Sequence, residues 1–176
     1  WEYVPPSFDA GVREAIRAAT AAGIVVVEPA GTDDVDLDDP GYEGAFTEDT
    51  GVLRVGGGAS SLAAVPRARM GSNYGTLVAV QGWAGDIVTT AGPPYTDLYY
   101  PRHDPRQAYT SQFGGTSGAS AMIAGLVGVV ESVAIATRGA PLTPAEVRAL
   151  LVEAGVAAPA GEVSVGALPD LRRVLR

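Results

Sequence analysis

Gly114-Gly115-Thr116-Ser117-Gly118-Ala119-Ser120-Ala121-Met122-Ile123-Ala124-Gly125 decides how this chain is read, because it sets a hydroxyl at the mouth of a core helix. Its first residues are too small and flexible to pack. The thirteen residues from Gly118 to Val130 are apolar or tiny apart from Ser120, so Ser117 stands where a loop becomes a buried helix. The first N–H groups of a helix have no partner inside it and their dipole favours negative charge, so an oxyanion formed beside Ser117 is stabilised there. That is the geometry of acyl transfer. Taken alone, the run reads more simply as a Gly/Ser loop that caps a core helix.

The surrounding chain bounds the answer. With 176 residues, 47% hydrophobic and 18% charged, it can bury a sizeable core and reads as one domain or a large piece of one. The apolar stretch after Ser117 is punctuated by glycine and meets Glu131 after thirteen residues, which suits a buried helix better than a bilayer span of roughly 20. No membrane anchor is expected. The net charge is −8 and all twelve basic residues are arginine, with no basic stripe to neutralise phosphates, so nucleic-acid binding is not expected. The lack of cysteine excludes disulfides, thiolate catalysis and Cys-based zinc sites, and leaves the compartment open. The chain starts at Trp1, so it is expected to be an excerpt or a processed product.

Phe8, Val12, Ile16 and Ala19 recur at helical spacing, with Ser7 as the expected N-cap and Gly23 as the stop, which predicts a helix over 8 to 22. Ile24 to Val27 is a β-branched run suited to a strand covered on both faces of a parallel sheet. Val52 to Val55, Leu77 to Val80 and Ile87 to Thr90 are further strands, and a long loop spans 91 to about 110. The core helix is expected from about Ser117 to Thr137, with its glycines admitting close neighbours. Thr143-Pro144-Ala145-Glu146 is a capping box opening a helix that ends near Gly155, and Leu168 to Arg176 is a weaker terminal helix.

Several pieces together carry a resemblance. Gly-Thr-Ser-x-Ala-Ser around Ser117, with Gly125 eight residues on, resembles the nucleophile motif of the subtilisin-like serine proteases, the subtilases. Ala22 to Thr32 is similar to that family's helix end, buried strand and oxyanion-hole turn. Ser72-Asn73-Tyr74-Gly75 resembles its Phe-Ser-Asn-x-Gly turn, and Val80 to Gly85 its Ala-Pro-Gly turn. The resemblance implies an α/β fold, a three-layer α/β/α sandwich with a mostly parallel sheet, of which residues 1 to 176 form the C-terminal portion of a single peptidase domain with the N-terminal part missing. It implies a serine endopeptidase acting on a protein or peptide substrate, secreted or extracellular.

By the same resemblance Ser117 is the nucleophile and Thr32 the oxyanion-hole position, where the family has an asparagine. In a subtilisin, loss of that amide lowers turnover by about 10² to 10³, and a threonine hydroxyl replaces it only in part. Ala121 stands where proline is usual, a minor departure. Glu28, Pro29, Ala30 and Gly31 match the wall of the primary specificity pocket. A carboxylate at Glu28 favours basic side chains there, or else is solvated or paired with an arginine. A serine hydroxyl needs an oriented base. The family's Asp and His precede the oxyanion turn, whereas His103 follows it in a segment rich in proline and arginine, where a loop role fits better than that of the base. Residues 1 to 176 therefore lack a complete triad.

No cofactor is required by this chemistry and no metal ligand set is assigned. Asp33, Asp34, Asp36, Asp38 and Asp39 fail an EF-hand register, because Asp39 falls where Gly is needed and Ala45 where Glu is needed. A solvated acidic loop is the default. Calcium remains open through the resemblance, with no site assigned. Gly56-Gly57-Gly58 lacks the following lysine and helix of a phosphate cradle. The rival to the peptidase is a non-catalytic subtilase-like module that binds peptides or partners. An unrelated α/β hydrolase is weaker, since Gly-x-Ser-x-Gly is missing around Ser117.

Overall fold

β-Branched runs and a glycine-bounded apolar helix build the frame of the chain. The computed structural model describes residues 3–92, 98, 106 and 108–176. Three parallel strands, β1 (Val27–Pro29), β2 (Leu53–Gly58) and β3 (Val78–Trp83), form a sheet in that order. Their register pairs Val27 with Leu53, Glu28 with Arg54 and Pro29 with Val55. β2 and β3 lie where the sequence predicts strands but run on to Gly58 and Trp83. β1 begins later than expected: the chain leaves helix α1 (Ala10–Ala21) at Gly23, reaches the β2 ladder only at Val27, and leaves Ile24 57% exposed.

α1 also starts differently. The Asp9 carboxylate accepts the Val12 N–H at 3.0 Å and is the N-cap, while the expected cap, Ser7, lies buried in a 3-10 turn, Pro6–Phe8. Beyond β3, strand β4 (Ile87–Thr90) occupies its predicted place and pairs antiparallel with β5 (Tyr109–Phe113), which the sequence reading missed.

Side-chain alternation along the strands then divides the core. Leu53, Val55 and Val80 pack against Ala119, Ile123, Val127 and Val130 of helix α2 (Gly115–Arg138), joined by Val147 and Leu151 of α3 (Pro144–Glu153). Ala30, Leu37, Phe46, Val78 and Val165 cluster on the other face, where Val78 stands opposite Arg54 because the β2–β3 register shifts between Arg54 and Val55. The buried stripe of α2 recurs every three or four residues, as an amphipathic helix requires. Its other face differs from expectation, because Met122, Val129, Val133 and Ile135 are exposed among the described residues. α2 continues through Glu131 for 24 residues and by length and composition alone is apolar enough to cross a bilayer, yet one face is the core of this sheet. Close packing explains Gly118, where a Cβ would lie 2.6 Å from Ile87 Cδ1, but not Gly125 or Gly128, which meet nothing within 4 Å.

The capping box of α3 forms as read: Thr143 Oγ1 accepts the Glu146 N–H at 3.2 Å and Glu146 Oε2 accepts the Thr143 N–H at 2.7 Å. Donation from the Thr143 backbone and hydroxyl side holds the Glu146 carboxyl below its usual range. The terminal helix is shorter than predicted, α4 (Leu171–Val174), because β7 (Leu168–Pro169) pairs with β6 (Gly155–Val156) instead.

One ion pair ties α3 to the loop before β2. Arg148 donates to Asp49 through Nη1 at 2.7 Å and Nη2 at 2.9 Å, and this pairing lowers the Asp49 pKa from 3.8 to about 2. A carboxyl depressed on folding stabilises the fold above its unfolded pKa, and that contribution fades as pH falls towards the folded value. Asp49→Asn should therefore lower the thermal midpoint at pH 6, with the gap to wild type closing between pH 4 and pH 2. A gap that stays constant down to pH 2 would contradict this coupling.

Candidate active site

Ser117 is the third residue of α2 and is exposed. The helix can begin so abruptly because Gly115 takes φ +70°, a left-handed conformation that favours glycine. Its N–H donates to Ala84 O at 2.9 Å, and the first helical bond runs from Gly118 N–H to Gly114 O at 3.2 Å. Gly114, at the N-cap, offers no side-chain acceptor. The N–H groups of Thr116 and Ser117 are thus left without an acceptor among the described residues. Ser120 Oγ donates to the Ser117 backbone carbonyl at 2.9 Å, and the Ser117 hydroxyl itself has no hydrogen-bond partner among the described residues.

The exit of β1 meets this helix start. Gly31 N–H donates to Thr116 Oγ1 at 3.2 Å across 85 residues of sequence, and Thr116 is buried. Thr32 follows, exposed, with its methyl 3.7 Å from where a Cβ on Gly115 would lie. The structure therefore brings Thr32 and the start of α2 together, two segments that the sequence separates widely. Ala30 is fully buried, its N–H bonded to Val55 O at 2.9 Å, and Pro29 pairs in register with Val55.

Glu28 is used differently from the pocket-wall carboxylate the resemblance implies. It projects to the sheet face opposite α2, 3% exposed, where Oε1 accepts the Ser7 N–H at 2.7 Å and Oε2 accepts Ser7 Oγ at 3.0 Å and Arg54 Nε at 3.2 Å. Arg54 also donates to Phe46 O at 3.1 Å and stacks over the Phe46 ring at 5.3 Å. Burial pulls the Arg54 pKa down, and the Glu28 charge opposes that pull. The alternative reading, a carboxylate paired with arginine, describes this arrangement.

His103 and most of the 91–110 loop lie outside the described residues. Each of four acidic-loop carboxylates already has a donor. Asp33 accepts the Tyr3 N–H, Asp34 pairs with Arg69, Asp38 accepts from the Thr76 N–H at 2.8 Å and Asp39 from the Gly41 N–H at 2.7 Å. Among the described residues no three acidic or histidine side chains gather into a metal-binding group. Sequence reasoning passed over one residue of this region, Asn73, whose buried amide bonds to both sides of the Thr32 turn. Its only signal was membership of the Ser-Asn-x-Gly turn.

The sequence model of the Subtilase family matches residues 3–166, and the chain belongs to that family. Its fold is similar to the self-cleaved protease domain of PatA, at TM-score 0.65 and 19% identity over 95% of this chain and 54% of that one. The prenylagaramide maturation protease PagA is similar at TM-score 0.65 and 17% identity, covering 95% and 55%. A lanthipeptide protease is similar at TM-score 0.68 and 19% identity, covering 94% and 54%. The chain thus spans about half the length of these structures. No curated protein matches the sequence significantly.

Removing one partner of a buried ion pair strands the other charge, at a cost of about 3–5 kcal/mol. Glu28→Gln should lower unfolding stability by that amount in guanidinium titrations, and pairing it with Arg54→Met should recover most of the loss. A single-variant loss under about 1 kcal/mol would show that Glu28 is not the counter-charge that keeps Arg54 buried.

Proposed function

We propose that the chain is the C-terminal portion of one peptidase domain in which Ser117 is the nucleophile of a serine endopeptidase. The observation that carries this reading is the exposed Ser117 at an uncapped helix start to which the Gly31–Thr32 turn is hydrogen-bonded. In the proposed reaction Ser117 Oγ attacks a peptide carbonyl and gives its proton to a histidine, itself oriented by an aspartate. Both come from a segment preceding Trp1. Collapse of the tetrahedral intermediate breaks the C–N bond, the histidine returns the proton to the leaving amine, and water then hydrolyses the acyl-enzyme. The Ser117 N–H and the Thr32 hydroxyl hold the oxyanion. Support comes from the family match and from the longer proteases that share the fold. A peptide substrate agrees with a further similar structure, the PatG macrocyclase in complex with peptide, at 14% identity; a secreted or extracellular enzyme is proposed on the family resemblance alone.

A second reading, a non-catalytic peptide- or partner-binding module, draws on Thr32 standing where the family has an amide donor. It also draws on the lack of a described base at Ser117 Oγ.

Two measurements separate the readings. Residues 1–176 alone should show no rapid labelling by a fluorophosphonate probe, while the protein carrying the upstream segment should label and cleave peptides, and Ser117→Ala should abolish both. Rapid labelling of the short chain that Ser117→Ala removes would overturn the need for an upstream base. In the longer protein Thr32→Asn should raise kcat about tenfold, about 1.4 kcal/mol, with little change in KM, because an amide acts mainly on the developing oxyanion. If neither Ser117→Ala nor Thr32→Asn changes turnover, the binding module is the better description.

A further inference from the structure

Thr32 lies in a turn that cannot hold itself. Gly31 takes φ +91° and Asp34 φ +64°, both left-handed, and no described side chain engages the Thr32 hydroxyl. A Cβ on Gly31 would fall 1.8 Å from Tyr3 O and 2.4 Å from Asn73 Nδ2, so the turn is pressed against its neighbours. Its conformation is imposed from outside.

Asn73 imposes it. The side chain is fully buried, and Oδ1 accepts the N–H groups of Asp33 at 2.9 Å and Val35 at 3.2 Å. Nδ2 donates to Ala30 O at 2.9 Å and to Tyr3 O at 3.0 Å, while the Asn73 N–H donates to Gly31 O at 3.0 Å. Residues 30, 31, 33 and 35 are therefore all fastened to one residue, and they bracket Thr32 on both sides. The Thr32 N–H closes the set by donating to the same Tyr3 O at 3.2 Å. An asparagine amide has two acceptor sites and two donor protons, and here every one is used, which also fixes its orientation, since a flipped amide would aim NH₂ at two N–H donors. Asn73 is anchored in turn to the sheet: Ser72 Oγ accepts the Gly57 N–H at 2.9 Å and donates to Asn73 O at 2.8 Å.

We propose that Asn73 is a positioning residue of the site, which sets where the Thr32 hydroxyl stands relative to the Ser117 N–H and thereby governs kcat. This rests on the reading of Ser117 and Thr32 as nucleophile and oxyanion donor. Asn73 does not touch the substrate. Its influence must pass through the turn, and that makes it separable from a merely structural contribution.

The test is a double-mutant cycle in the complete, active protein, with kcat normalised to sites titrated by a fluorophosphonate so that misfolded molecules do not count. Asn73→Asp keeps the shape and the two acceptor bonds but loses both donations, and should lower kcat about tenfold with a smaller change in KM. In a Thr32→Val background, where the donor is already gone, Asn73→Asp should change kcat by less than about twofold. If Asn73→Asp does not fold, Asn73→Ser takes its place in the same cycle. Multiplicative effects of the two substitutions, or a normalised kcat that Asn73→Asp leaves at the wild-type value, would overturn the proposal while Ser117 dependence stood. Turnover that survives Ser117→Ala would instead overturn the catalytic reading, and the role of Asn73 with it.

Discussion

The seating of α2 on the carboxyl ends of the parallel strands is the constraint on which the rest of the site depends. Two hydrogen bonds fix it, Gly115 N–H to Ala84 O at 2.9 Å beyond β3 and Gly31 N–H to Thr116 Oγ1 at 3.2 Å beyond β1. Below them Ala119, Ile123 and Val127 pack on Val55 and Val80. Apolar burial holds the helix against the sheet, whereas the two polar contacts set its start. In an open parallel sheet the strand ends are where loops of different origin meet, so a site there draws on distant sequence. Ser117 and Thr32 are neighbours for that reason.

The opposite face of β1 and β2 carries a different kind of contact. Glu28 and Arg54 are register partners on adjacent strands, 3% and 1% exposed, and Ser7 bonds to both. Such a pair contributes little net stability compared with apolar side chains of equal volume, but it penalises any arrangement that separates its members. One consequence is directional. The Pro6–Phe8 turn must lie over the sheet at Glu28, with Phe8 near the rings of Tyr42 and Phe46, and the chain from Tyr3 is thereby led past Gly31 and Thr32. A buried charge pair on one face thus helps place the backbone that borders the site.

Local chemistry was legible in the sequence wherever one segment determined its own structure. The capping box at Thr143 and Glu146, the strand at Ile87 to Thr90 and the loop-to-helix junction at Ser117 needed no partner to be recognised. Where a distant partner decides, the reading slipped. Asp9 and Ser7 are both good caps, and Ser7 lost the role because Glu28, 21 residues away, claims its hydroxyl. Ile24 to Val26 have strand propensity, yet the β2 ladder begins only at Val27. Asn73 is the extreme case, since its side-chain bonds span up to 70 residues and leave no periodicity to detect.

The departure at Thr32 has a physical explanation in the same terms. Its turn is held through backbone groups of residues 30, 31, 33 and 35, while the residue 32 side chain is exposed and contributes nothing to that hold. Position 32 can therefore exchange an amide for a hydroxyl without loosening the fold, whereas Gly31 admits no side chain and Asn73 no substitute with the same four bonds. Under the role proposed for Thr32, a change confined to residue 32 would alter how strongly a developing oxyanion is held and leave the backbone hold on the turn intact.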